Sequence, residues 1–254
     1  MASLGGKTII VTGAASGFGR GIVALLLSRD ARVIGIDLKE PDNEESNPAK
    51  RPERYHLLTG DVTSEKTWHA ALQAAQEHFS SIPETIVNCA GFVYLGQAPH
   101  SVPLEDFDRL WQINVKPLYL GVKHIVPHWM SNHISGHFIT IGSISSQRPR
   151  PSTVWYGASK GALDTATEGL AAAYAKDGIR FNIVRPSIGN TAMLSRVQGG
   201  VDTEEGRAKR LDTIPLGRLC EPQDVAQMVA FLASDEANYV TGSGFNIDGG
   251  RMVS

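Results

Sequence analysis

The stretch KTIIVTGAASGFGRGIVALLLSRDARVIGIDL, residues 7–38, decides how this chain folds. An apolar run rich in Ile and Val leads into TGAASGFG, Thr12 to Gly19. A segment of helical period follows, and a second apolar run ends at Asp37. Strand, glycine turn and helix in that order bring backbone amides and a helix N-terminus to where a pyrophosphate can meet them. Gly13, Gly17 and Gly19 are spaced G-x-x-x-G-x-G, which departs from the common G-x-G-x-x-G fingerprint, so the turn alone also fits simple tight packing. Asp37, eighteen residues after Gly19, narrows the choice. An acid at the end of the second strand can accept hydrogen bonds from an adenosine ribose.

The same alternation runs on along the chain. RYHLLTGDV, ETIVNCAG, GHFITIGS, IRFNIVRP and GSGFNIDGG read as strands, and residues 64–79, 104–132, 154–178 and 221–237 carry helical period. Short strands alternating with helices give βαβ units. The expected fold is therefore α/β: a single doubly wound, Rossmann-type parallel sheet with helices on both faces, forming one nucleotide-binding domain over residues 1–254. Two segments stand apart. Residues 39–54 are charged and contain prolines, which predicts an exposed, mobile loop. Residues 189–211 are polar, contain glycine and show weak helical period, so they are expected to form a substrate-loop region.

Of the 254 residues, 42% are hydrophobic, ample for a large core. The formal net charge is -2 with acids and bases interspersed, so no basic face offers itself to nucleic acid. Cys89 and Cys220 match no metal spacing and are too few for a disulfide framework, and they read as buried or incidental thiols. The eight histidines show no ligand spacing either, so no metal is expected. No apolar run reaches the roughly 18 residues that cross a membrane. The opening residues lack a basic region followed by a long apolar stretch, and the expectation is a cytoplasmic protein acting on small molecules.

VWYGASKGALD, residues 154–164, sets Tyr156 and Lys160 four apart, on one face of a helix. A phenol has a pKa near 10, and a nearby ammonium favours its ionised form. Making it a base at neutral pH requires about 3 to 4 kcal/mol of differential stabilisation. In isolation such a pair is an ordinary surface feature, and its neighbours give it meaning. TGAASGFG, NCAG at 88–91, IGS at 141–143 and YGASK at 156–160, in this order, resemble the short-chain dehydrogenase/reductase family in its single-domain branch. The resemblance runs from Thr8 to Gly250.

That resemblance implies hydride transfer between a nicotinamide cofactor and a secondary alcohol or its ketone, and the apolar residues named below suggest a medium-sized, possibly cyclic, substrate. The resemblance gives Tyr156 the substrate's hydroxyl proton, Lys160 the support of the phenolate, and Ser143 the hydrogen bond to the substrate oxygen, with Ser145 and Ser146 as nearby alternatives. Asn114, in WQINVKP, would anchor a water joining Lys160 to a proton path. On the cofactor, Gly13, Ser16, Gly17, Phe18 and Gly19 would form the turn, Asp37 would meet the ribose, and Asp61 and Val62 would flank the adenine. Asn88, Ala90 and Gly91 would pass the adenosine side. Pro186, Ile188 and Thr191 would lie near the nicotinamide end, with Tyr156 and Lys160. Cys89 stands where the family usually has a second asparagine, and Ser187 where it often has glycine.

Several expectations concern choice of ligand. Asp37 would oppose the 2′-phosphate of NADP, and Ser16 stands where NADP-using relatives often carry a base, so NAD is the expected cofactor. Phe92, Tyr94, Met193 and Leu194 would line an apolar pocket. QRPRP, residues 147–151, reads either as a solvated loop or as a rim for an anionic substrate. The helices at 104–131 and 154–177 match those that pair subunits in the family, implying a homotetramer. A catalytically silent nucleotide sensor on the same fold is the rival reading, although a pure sensor need not keep Asn114, Ser143, Tyr156 and Lys160 together.

Overall fold

The computed structural model describes residues 3–40, 53–191, 193–194 and 203–254. Its centre is one sheet of β1 (Thr8–Thr12), β2 (Arg32–Asp37), β3 (Tyr55–Thr59), β4 (Thr85–Asn88), β5 (His137–Ile141), β6 (Arg180–Pro186) and β7 (Gly244–Ile247). All seven strands are parallel, in the order β3-β2-β1-β4-β5-β6-β7. The order reverses between β1 and β4, and the loops leaving those two strands diverge there to open a crevice.

Alternation along the strands divides the core. Ile9 and Val11 of β1 and Val33 of β2 face one layer, where α1 (Gly17–Ser28) and α7 (Pro222–Ala233) bury Ile22, Leu26, Val225 and Val229. Ile10, Ile34 and Ile86 face the other. There α2 (Glu65–Phe79), α4 (Lys116–Ser131) and α5 (Val154–Tyr174) bury Trp68, Trp129 and Leu163. No described helix is long and apolar enough to cross a membrane.

Two expectations change. The helix expected over 104–132 forms without a gap but is not regular: α3 (Leu104–Leu110) passes through one π-helical turn, Trp111–Val115, into α4. Pro117 has no N–H to carry the regular ladder across that point. Within 189–211, weak apolar period hid α6 (Glu204–Leu211). Thr203 caps it by accepting the Gly206 N–H at 3.1 Å, and Lys209 and Arg210 sit in its last turn, so capping and charge hold it rather than an apolar face. Most of the loop expected at 39–54 falls outside the described residues, as does the middle of 189–211.

Candidate active site

A cleft of about 640 Å³ lies beyond the carboxyl ends of β1, β2 and β4. The glycine turn forms its floor. The Gly13 and Ala14 amides donate to the Ile36 carbonyl at 2.8 and 3.2 Å, and Thr12 Oγ1 accepts the Cys89 and Ala90 amides at 2.9 and 3.0 Å. The turn is thus fastened to β2 and to the end of β4. Gly13 has φ +68, and a Cβ there would meet the Ala90 backbone at 3.0 Å; one on Gly19 would overlap the Gly13 carbonyl oxygen. No side chain caps α1, and its first turn holds no acid. The opening amides of a helix have no intrahelical partner, so this end of α1 suits an anion.

Ser16, Gly17, Phe18 and Gly19 all line the cleft. Asp37 lies at its β2 side, accepting the Ala15 amide on Oδ2 at 2.9 Å and the Lys39 amide on Oδ1 at 3.4 Å. Asp61, Val62, Ala90, Gly91 and Thr191 complete the wall, although Asp61 Oδ1 also accepts the Thr63 amide at 2.8 Å. Acid-free amides for a pyrophosphate and a carboxylate for a ribose fit a dinucleotide. Asn88 ends β4 as expected, is buried there, and is not among the residues that line this cleft or the adjoining cavity.

A second cavity, of about 110 Å³, joins the cleft through shared walls at Phe18, Cys89, Gly91 and Thr191. Ser143, Tyr156 and Lys160 line it, together with Pro186 and Ile188. The Ser143 hydroxyl favours the ionised form of the Tyr156 phenol, and its oxygen accepts the Ser145 amide at 3.1 Å. Ser146 turns away and donates to the Ser143 carbonyl at 2.8 Å. Lys160 Nζ donates to the Ile141 carbonyl at 2.9 Å and lies 5.9 Å from the Tyr156 ring centre. Burial pushes the Tyr156 phenol up, and the Ser143 hydrogen bond works against that rise. Burial also pushes Lys160 down to about 8, partly offset by Cys89 and Asp164. The expected lowering draws on Lys160 together with the positive nicotinamide of an oxidised cofactor, and in the protein alone burial dominates. A positive group in the adjoining cleft would have to complete the lowering.

Asn114 sits in the π turn and ties two segments together. The Phe92 amide donates to its Oδ1 at 2.7 Å, while its Nδ2 donates to the Phe92 carbonyl at 3.0 Å and to Ser159 Oγ at 2.9 Å. Ser159 in turn donates to the Tyr156 carbonyl at 2.8 Å. A Cβ on Gly91 would lie 3.6 Å from both Asn114 Oδ1 and Lys160 Nζ, so the two side chains converge on one glycine. In sequence Ser159 read only as a small spacer, and Thr12 only as the first letter of the glycine turn. Their bonds join segments far apart in the chain, which no local pattern announces.

The expected apolar lining holds for Phe92, Met193 and Leu194, and fails for Tyr94. That ring is 1% exposed and packs with Phe92 and Leu110 behind Trp155 and Tyr156. The thiols of Cys89 and Cys220 are both pushed up to about 12 by burial, which makes them poor nucleophiles. Arg150 and Arg251 also line the cavity. The first belongs to QRPRP; nothing in the sequence drew attention to the second.

A family model described as Enoyl-(Acyl carrier protein) reductase matches residues 13–251. The chain is 36% identical over 253 residues to the 4-formylbenzenesulfonate dehydrogenase TsaC1/TsaC2 of Comamonas testosteroni, covering 99% of this chain and 100% of that one. It is likewise 36% identical to glucose 1-dehydrogenase 2 of Bacillus subtilis, over 98% of this chain and 96% of the relative. Among solved structures, the 3-ketoacyl-(acyl-carrier-protein) reductase from Brucella melitensis, complexed with NADH, matches with a TM-score of 0.88 at 32% identity. That match covers 98% of this chain and 99% of the other.

Proposed function

The chain belongs to the short-chain dehydrogenase/reductase family, and from that premise we propose that it transfers hydride between NAD(H) and a secondary alcohol or its ketone. One observation carries the reading: Ser143, Tyr156 and Lys160 line one cavity that shares walls with the cleft at the glycine turn. Ser143 holds the substrate oxygen against the phenol, and Tyr156 exchanges its proton. Lys160, steered by the Ile141 carbonyl, favours the ionised phenol, and Asn114 fixes the segment around it. A bound nicotinamide supplies the hydride acceptor and a positive charge beside these groups. Pro186, Ile188 and Thr191 bound that end, while Asp37 favours the free ribose hydroxyls of NAD over the phosphate of NADP.

The working form we propose is a cytoplasmic homotetramer. Leu104, Tyr119 and Met130, on α3 and α4, are 72%, 61% and 47% exposed, and α5 presents Ala172 and Ala173 outward, which supports association through these helices. The function is tested with a panel of cyclic and acyclic secondary alcohols, followed at the nicotinamide absorbance. Tyr156→Phe, which deletes only the hydroxyl, should lower turnover at least a hundredfold while leaving NAD affinity unchanged. Near-normal turnover in that variant would remove Tyr156 from the mechanism. Tight NAD binding with no turnover across the panel would favour the silent sensor.

A further inference from the structure

The catalytic cavity carries positive charge that no described residue neutralises by an ion pair. Arg150 precedes α5 and Arg251 follows β7, and both line the cavity. Arg148 Nη1 donates to the Arg251 carbonyl and joins the two segments. Three other arginines find carboxylates: Arg185 pairs with Asp164 at 2.9 Å, Arg218 with Asp224 at 2.6 Å, and Arg54 with Asp30. Neither Arg150 nor Arg251 makes an ion pair with a described residue, and Arg251 Nε is buried without a hydrogen-bond partner. Asp248, the acid acting on Arg251, already accepts the Gly250 and Met252 amides at 3.1 and 2.8 Å.

Burial pushes both guanidinium groups down, Arg251 to about 10, and the other arginines add to this: Arg210 and Arg148 act on Arg150, Arg150 and Arg148 on Arg251. Both remain charged at neutral pH. Half-buried like charges are costly unless a counter-charge joins them, and a guanidinium fork matches an oxyanion. The cofactor does not meet this need, because neither arginine lines the nucleotide cleft. Within QRPRP, Arg148 is exposed, whereas Arg150 is partly buried and lines the cavity.

We propose that the substrate carries an oxyanion group, a carboxylate or sulfonate, which Arg150 and Arg251 receive while its alcohol or ketone oxygen lies at Ser143 and Tyr156. This rests on the hydride-transfer reading and adds the substrate class. Phe92, Ile188 and Met193 line the same cavity and would hold the carbon frame between the two ends.

The anion site is tested without turnover, by titrating NAD-saturated protein with cyclohexanecarboxylate, cyclohexanesulfonate and neutral cyclohexanecarboxamide. Saturating NAD keeps the probes from the α1 terminus. Either anion should bind at least tenfold more tightly than the amide. Replacing both arginines, Arg150→Gln with Arg251→Gln, should abolish that advantage, and Arg150→Lys with Arg251→Lys should keep part of it. Equal affinity for anion and amide in the native protein, or an advantage that survives the glutamine pair, overturns the inference. Turnover of 3-hydroxycyclohexanecarboxylate, its amide and cyclohexanol separates the two readings. Oxidation without anion preference sinks the anion site alone, and anion preference without oxidation of any alcohol sinks hydride transfer alone.

Discussion

The nucleotide cleft and the catalytic cavity share a wall, yet they are made by opposite means. The floor of the cleft comes from one short stretch, β1 to β2, and its contacts run through backbone: the Gly13 and Ala14 amides on Ile36, and the uncapped start of α1. The cavity gathers Ser143, Tyr156, Ile188 and Arg251 from segments scattered over the second half of the chain, and its character lies in their side chains. A site built on backbone tolerates almost no added atoms but accepts a common ligand. A site built on side chains can be altered piece by piece, and there the substrate is chosen.

The sharpest way to break that contrast is Gly19→Ala. The new Cβ would overlap the Gly13 carbonyl oxygen, and neither backbone can yield without opening the turn. NAD affinity, read by titration, should fall at least a hundredfold, because the amides that meet the phosphates move with the turn. Unchanged affinity would show the turn to be plastic.

Asp37→Ala sharpens the contrast by touching only the cleft. The native protein should use NAD tenfold to a hundredfold more efficiently than NADP, as expected for about 1.4 to 3 kcal/mol from one opposed charge at a partly solvated site. The variant should lose most of that preference while its KM for the alcohol stays put. Equal use of both cofactors by the native protein would discard Asp37 as the discriminator.

Lys160→Met probes the cavity as a strained site. Burial holds Lys160 at about 8 against an ordinary 10.5, so between those values the unfolded chain binds more protons and stability rises with pH. At pH 7 the full cost, about 3 kcal/mol, is present. The variant should lose turnover with NAD and, free of cofactor, melt several degrees higher than the native protein at pH 7, with the gain shrinking as pH climbs from 8 toward 10.5. A lower melting point at pH 7 would mean that the bond to the Ile141 carbonyl outweighs desolvation.

The smallest effect is expected at the seam between the regions. Thr12→Val keeps the shape but leaves the Cys89 and Ala90 amides without their acceptor, which should cost about 2 kcal/mol in denaturant unfolding. No measurable cost would show that the two halves are joined by packing alone.

Taken alone, the sequence determined the layered fold, the glycine turn, Asp37, and the pairing of Tyr156 with Lys160. Each is written in local periodicity: strands and helices announce themselves through spacings of two and of three to four, and a turn through its glycines. The tertiary structure decided what crosses between segments. It put a π turn into the helix over 104–132 around Asn114 and bound that side chain to Phe92 and Ser159. It also withdrew Tyr94 from the wall, and brought Arg251 from beyond β7 to line one cavity with Arg150. Those facts depend on contacts between residues distant in the chain, where the identity of one partner says nothing about the other until the sheet has brought them together.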